Sequence, residues 1–155
     1  MIIAIGCDDA ATELKAVIKQ HLKSLNVEVI DYNDGFDKSE PYADTAARVA
    51  LAVRDSEPER GIILCGTGIG VCIMANKISG IRAALCHDTF SAERAQLSNN
   101  AQVITMGARV IGPELAKRIV TTWLACEFVD GPSTPKVNRI HELEKENAAN
   151  LTENA

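Results

Sequence analysis

GIILCGTGIGVCIMAN, residues 61–76, carries the change of pattern around which the chain is organised. It opens as a short apolar run, Ile62-Ile63-Leu64-Cys65, of the kind that forms a strand buried on both faces. It then turns through Gly66-Thr67-Gly68-Ile69-Gly70 and continues from Val71 to Lys77 with a helical pattern. The glycines free the backbone for left-handed angles and let a ligand approach the main chain closely. Their amides, with the start of the helix, form a positive cradle for an anion. Cys65 stands at the lip of that cradle. It is either a reactive group beside an anion hole or a buried cysteine before an ordinary strand-to-helix turn.

On the N-terminal side, Met1 to Gly6 reads as a buried strand that stops at Cys7-Asp8-Asp9. Leu14, Val17, Ile18, Leu22 and Leu25 repeat at helical spacing, predicting a helix from Ala10 to Leu25. Val27 to Asp31 is a second strand, Asn33-Asp34-Gly35 opens a loop reaching Pro41, and Tyr42 to Arg54 is a helix broken at Ser56-Glu57-Pro58. On the C-terminal side, strands are expected at Ile81 to Cys86 and Val103 to Met106, with a helix from Asp88 or Thr89 to Leu97. Gly112-Pro113 opens a helix to Glu127, proline being suited to a first helical turn. Gly131 to Pro135 reads as a linker, Lys136 to Glu146 as an amphipathic helix, and Ala148 to Ala155 as a flexible tail.

Alternating strands and helices predict a five-stranded parallel sheet covered on both faces, in one domain spanning residues 1–147. In such a sheet ligands bind beyond the carboxyl ends of the strands, where strand order reverses. An order of 2-1-3-4-5 puts that point between the first and third strands, where Cys7-Asp8-Asp9 meets Cys65 to Gly70.

The net charge of −5, with no basic run, gives nucleic-acid binding no electrostatic footprint. No apolar stretch approaches the ~20 residues that span a bilayer. The five cysteines show neither CxxC pairs nor zinc spacing, so reduced thiols in a cytoplasm are expected. GTGIG lacks the G-x-G-x-x-G spacing of a dinucleotide fingerprint, and no Gly-Lys-Ser/Thr follows to make a P-loop. What remains is a nest for a small anion, either phosphate or the oxyanion of a reacting carbonyl.

Several segments then occur in a telling order: Gly6-Cys7-Asp8-Asp9-Ala10, Cys65 to Gly70 followed by Ala75-Asn76-Lys77, Gly80 to Leu85, Asn99 to Ala101, and Gly107 to Gly112. Together they resemble the family of ribose-5-phosphate isomerase B and galactose-6-phosphate isomerase, from Ile2 to Ile140. The resemblance implies a Rossmann-like three-layer α/β/α sandwich and aldose-ketose isomerisation of a sugar phosphate through an enediol. It also implies no metal or organic cofactor, and a homodimer or dimer of dimers whose active sites are shared between subunits.

By that resemblance Cys65 is the base, a thiolate being favoured by the amide nest and helix start. Thr67 moves protons on the substrate hydroxyls, and the amides of Gly66, Gly68, Ile69 and Gly70 hold the developing charge. Asp8 binds a sugar hydroxyl, with Asp9 beside it. Asn99 completes the oxygen-binding side, and Arg109 and Lys136 serve the phosphate. The chain departs from the family pattern at the first strand end, where Asp9 replaces a histidine; at Ser98, where a ring-opening histidine is usual; and in the C-terminal segment, where Lys136 occupies one of two arginine positions and the other is lost near Pro132-Ser133, with Arg139 close by.

The missing ring-opening acid bears on the substrate. A tetrose 4-phosphate cannot close a five-membered ring, because its 4-hydroxyl is esterified. Leu97 to Gly112 also resembles the branch that interconverts D-erythrulose 4-phosphate and D-erythrose 4-phosphate, which favours a short acyclic substrate. Ribose 5-phosphate is the rival, with His87 as a substitute ring-opener. A non-catalytic sugar-phosphate-binding subunit is a third reading, against which Cys65 and the complete glycine loop speak.

Overall fold

Each apolar run is short and bounded by turn residues, and each amphipathic segment is long enough to recross the sheet, so strand and helix alternate. The computed structural model describes residues 1–35, 37–55 and 58–153. In chain order these form β1 (Ile2–Cys7), a 3-10 turn (Asp9–Ala11), α1 (Thr12–Ser24), β2 (Glu28–Asp31), α2 (Tyr42–Arg54) and β3 (Arg60–Cys65). They continue as α3 (Ile69–Ala75), β4 (Ala83–Leu85), α4 (Thr89–Leu97), β5 (Val103–Gly107), α5 (Pro113–Leu124) and α6 (Thr134–Glu153). Phe36 in the expected loop, Ser56 and Glu57 at the expected helix break, and Asn154 and Ala155 of the expected tail lie outside the described residues.

All strand pairs are parallel, and the five-stranded sheet has the order β2-β1-β3-β5-β4. The reversal between β1 and β3 is where it was expected, but the last two strands exchange places. Burial explains the exchange. Val103 to Gly107 is buried at every position, whereas the three residues of β4 are half-buried or exposed, so the more apolar strand takes the inner place. Helix α5 stops at Leu124 rather than Glu127. Helix α6 starts at Thr134, with Pro135 in its first turn, and stays helical through Glu153, so most of the stretch expected as a tail is ordered helix.

Successive strand residues point to opposite faces. Ile3, Ile5, Ile62, Leu64, Ile104 and Met106 pack with Leu14, Ile18, Leu22, Ile119 and Trp123 under α1, α4 and α5. Ala4, Ile63, Cys65 and Val103 pack with Ala46, Val49, Val53, Val71 and Ala75 of α2 and α3. These are the two cores of a three-layer sandwich. Cys65 belongs to the α2–α3 side, at its carboxyl rim.

The rim outlasts the outer strand. β2 ends opposite Ile5, while β1 runs on to Cys7. There the side chain of Asn33 stands in for a strand residue. The Cys7 amide donates to Asn33 Oδ1 (3.2 Å), and Asn33 Nδ2 donates to the Cys7 carbonyl (2.5 Å). Lys15, itself buried, holds the group by donating to Asn33 Oδ1 (3.0 Å), the Asn33 carbonyl (3.2 Å) and Asp31 Oδ1 (3.0 Å), while Lys19 donates to Asp31 Oδ2 (2.7 Å). Burial alone would push the Asp31 carboxyl up, but the bonds from Lys19, Lys15 and the Asn33 amide outweigh it and hold it below its ordinary value. Asn33→Ala strands the main chain of Cys7 and removes an acceptor of the Lys15 ammonium. It should cost about 1–3 kcal/mol, read as a lower urea midpoint at unchanged m-value.

Candidate active site

Cys65 closes β3 opposite Gly107 of β5, and the pairing carries on past both strands. The Ala108 amide donates to the Cys65 carbonyl (2.8 Å) and the Arg109 amide to the Gly66 carbonyl (3.0 Å). The chain then folds back at Gly68, whose φ of 76° lies in the left-handed region that favours glycine. Thr105 Oγ1 donates to the Gly68 carbonyl at 2.8 Å and pins the fold-back onto β5. Gly107 makes room for it, because a Cβ there would stand 2.5 Å from the Thr67 carbonyl carbon.

This folding aims main-chain donors at the site's own acidic groups. The Gly68 amide donates to Cys65 Sγ at 3.0 Å. Asp8 follows the last residue of β1, the strand paired with β3; its carboxylate accepts from the Ala10 amide (3.0 Å), capping the 3-10 turn, and the Gly66 amide favours its charged form. Burial, with the charge of Asp9, nonetheless raises the Asp8 carboxyl above its ordinary value against the pull of the Ala10 and Gly66 amides and Arg109. The Arg109 guanidinium lies along Gly66, Nη1 standing 3.2 Å from where a Cβ would be. Thr67 is exposed, and its Oγ1 accepts from the Ile69 amide at 3.3 Å. Ile69 is exposed and Gly70 half-buried at the start of α3. Cys65 is only 5% exposed.

Sequence reasoning missed Tyr42. Its ring lies over Gly70, where a Cβ would meet Cε2 at 2.7 Å. The signal was topological: α2 follows the carboxyl end of β2, so its first residue stands at the same rim as the glycine loop. His87, two residues past β4, reaches the rim too, and its Nε2 accepts from the Gly107 amide at 2.9 Å.

Asp9, Ser98, Asn99 and Lys136 are not part of this constellation. Asp9 faces the other side of the sheet, lining a concavity with Glu13, Ala108, Ile111 and Pro113. Ser98 ends α4, and the carbonyls of Asn99 and Asn100 accept from Arg82 Nε at 3.1 and 2.9 Å. Arg82 precedes β4, so this group lies at the amino end of the sheet. β5 separates it from Cys65 by on the order of 13 Å. Helix α6, which carries exposed Lys136, docks at that same end. Its Glu144 accepts from the Gly80 amide (3.1 Å), and its His141 Nε2 lies 2.6 Å from Arg82 Nη1. One chain therefore holds two half-sets of the expected residues, at opposite ends of its sheet.

Among the described residues no group of three or more His, Cys, Asp or Glu side chains is placed to hold a metal ion. No helix among them is long and apolar enough to cross a membrane.

Residues 3–140 match the family model described as Ribose/Galactose Isomerase. The chain belongs to the ribose/galactose isomerase family. It is 56% identical over 139 residues to the D-erythrulose-4-phosphate isomerase of Pectobacterium atrosepticum, covering 89% of this chain and 91% of that one. It is 48% identical over 147 residues to the ribose-5-P isomerase B of Listeria innocua, covering 95% and 99%. The solved ribose-5-phosphate isomerase B of Clostridium thermocellum superposes with a TM-score of 0.91 at 42% identity, covering 95% of this chain and 99% of that one. The protein of Mycoplasma genitalium, solved with bound ribulose-5-phosphate, superposes with a TM-score of 0.87 at 35% identity, covering 94% and 97%. Like its family, the chain is a sugar-phosphate aldose-ketose isomerase, and the reading as a non-catalytic subunit falls away.

Gly107→Ala tests whether the floor under Thr67 matters to an isomerase of this family. The added methyl cannot be accommodated without moving the loop's main chain. Turnover should fall on the order of 100-fold, the cost typical of misplacing reacting groups by about 1 Å. The far-ultraviolet circular dichroism spectrum should stay that of the parent.

Proposed function

We propose that the chain interconverts D-erythrulose 4-phosphate and D-erythrose 4-phosphate, with Cys65 as the base. The observation that carries the chemistry is the convergence of Cys65 Sγ, Asp8 and the amides of Gly66 and Gly68 at one rim. The Cys65 thiolate takes a proton from carbon 1 of the ketose, and the electrons form the carbon 1–carbon 2 double bond as charge moves to the carbonyl oxygen. Thr67 and Asp8 help pass the proton of the carbon 1 hydroxyl to the carbon 2 oxygen. Return of the sulfur's proton to carbon 2, as the carbonyl forms at carbon 1, gives the aldose. The Gly68 N–H donates to the Cys65 sulfur, and Arg109 faces the anionic phosphate.

The histidines support an acyclic substrate. His87 Nε2 is occupied by the Gly107 amide, which counts against its use as ring-opening acid through that nitrogen. His21 bonds Thr121 Oγ1 (2.8 Å), His141 faces Arg82, and Ser98 offers no imidazole. Likeness to D-erythrulose-4-phosphate isomerases at 56% and 42% identity points the same way. D-Ribose 5-phosphate is the second reading, favoured by the Listeria relative, which matches over 95% of the chain. The five free cysteines suit a reducing cytoplasm.

The two half-sets imply that Ser98, Asn99 and Lys136 serve the Cys65 site of a second copy, in a homodimer or dimer of dimers. Both claims are testable. The ratio of kcat/KM on D-erythrulose 4-phosphate and D-ribulose 5-phosphate should favour the tetrose, and a preference for the pentose reverses the assignment. Cys65→Ala and Asn99→Ala should each lose most turnover. Unfolding and reassembling the two variants together should restore about a quarter of parental activity, since half the random dimers are mixed and each mixed dimer holds one intact site of two. No recovery would place both residues in the same subunit's site.

A further inference from the structure

β4 stops one residue too early to finish its pairing with β5. Leu85 pairs with Thr105, and the Cys86 amide still donates to the Thr105 carbonyl at 3.0 Å. The next donor on that edge of β5 is the Gly107 N–H, which in a longer β4 would meet the Cys86 carbonyl. It meets the imidazole of His87 instead, at 2.9 Å on Nε2. An amide can only donate, so this ring is held with Nε2 unprotonated and its proton on Nδ1. The bond is at the base of the catalytic loop. Gly107 is the floor of Thr67, and a Cβ on Gly68 would stand 3.1 Å from the Gly107 nitrogen itself and 2.7 Å from Leu85 Cδ1.

We propose that neutral His87 is a positioning residue for the reaction: by accepting the Gly107 amide it fixes the surface on which Thr67 and Gly68 rest, and protonation of Nε2 withdraws that support. The inference rests on the reading of Cys65 to Gly70 as the catalytic loop. Burial pushes the His87 imidazole below its ordinary value, against the weaker attraction of Asp88 beside it. The other ionisable groups on the adjoining elements include Cys86 before His87, Cys72 of α3, Glu93 and Arg94 of α4, Arg109 two residues beyond Gly107, and the Cys65 thiol opposite Gly107 on β3. A depressed value in the folded chain fixes the sign. The bond's contribution is complete above the ordinary histidine range and is lost as pH falls through the lower folded value.

The experiment compares the parent with His87→Gln, whose side-chain oxygen accepts without titrating near neutrality, and His87→Leu, which has no acceptor. The amide resonances of Gly107 and Gly68 are followed from pH 8 to 5, and kcat and KM are measured over the same range on D-erythrulose 4-phosphate and D-ribulose 5-phosphate. In the parent both amides should titrate together with the His87 ring, and in His87→Gln both should stay flat. His87→Leu should lose kcat on the order of 10-fold at pH 8 with a smaller change in KM, and His87→Gln should recover most of it while the acid limb of kcat weakens. A Gly68 amide that ignores the titration of His87, or an acid limb identical in His87→Gln and the parent, overturns the proposal. Should His87→Leu fail to fold, the parent and His87→Gln decide the matter alone. Full activity in Cys65→Ala would instead overturn the catalytic reading while leaving the amide titrations as they stand.

Discussion

The register between β3 and β5 is the constraint on which the site depends. Pairing Cys65 with Gly107 places the strand that carries the sulfur beside a residue with no side chain. Only there can the next turn of chain fold down onto the neighbouring strand. A slip of one residue would put Met106 or Ala108 under Thr67 and turn Cys65 to the opposite core. The apolar pattern of both strands forbids that slip. Ile62 and Leu64 belong with Ile104 and Met106 on one face, and Ile63 and Cys65 belong with Val103 on the other. Packing in the two cores thus fixes, at a distance, where the loop finds its floor.

How much of this was legible in the sequence follows from the range of the interactions concerned. The glycine loop, the first strand end and their meeting at the β1–β3 reversal depend on local pattern and on the general geometry of parallel sheets, and they were readable. The exchange of β4 and β5 was not, because it turns on which of two short apolar runs is the more completely buried. Val103-Ile104-Thr105-Met106 and Ala83-Ala84-Leu85 differ in bulk rather than in pattern, and bulk decides the inner place. The length of α6 escaped for a related reason. Ala148-Ala149-Asn150-Leu151 has no helix stop, but its many exposed polar neighbours gave no amphipathic signal to extend.

The site residues divide along the same line. Cys65, Asp8, Gly66, Gly68 and Arg109 lie within a few residues of a strand's carboxyl end, so topology alone brings them together. Ser98, Asn99 and Lys136 came by resemblance, and topology sends them to the other end of the sheet. Asn100 shows how firmly they are held there: it adopts a φ of 47°, a left-handed angle asparagine tolerates, while Arg82 binds its carbonyl and that of Asn99. A loop fastened so cannot swing across the length of β5 to reach its own Cys65.

The near-burial of Cys65 bears on the same chemistry. A thiol that must attack from solution needs exposure, but a base that moves a proton between two adjacent carbons needs contact with those carbons alone. At 5% exposure the sulfur meets little water, which strengthens the hydrogen bond it accepts and, in the proposed mechanism, would guard an enediolate from solvent protons. The nest serves this end in a way the bare sequence did not suggest. The Gly68 amide is spent on Cys65 Sγ rather than left open to a ligand, and the Gly66 amide favours the charged form of Asp8. The loop therefore orders the proposed acid–base groups first. A substrate arriving at the rim finds sulfur and carboxylate already fixed by main chain, which does not need to reorganise as the proton moves.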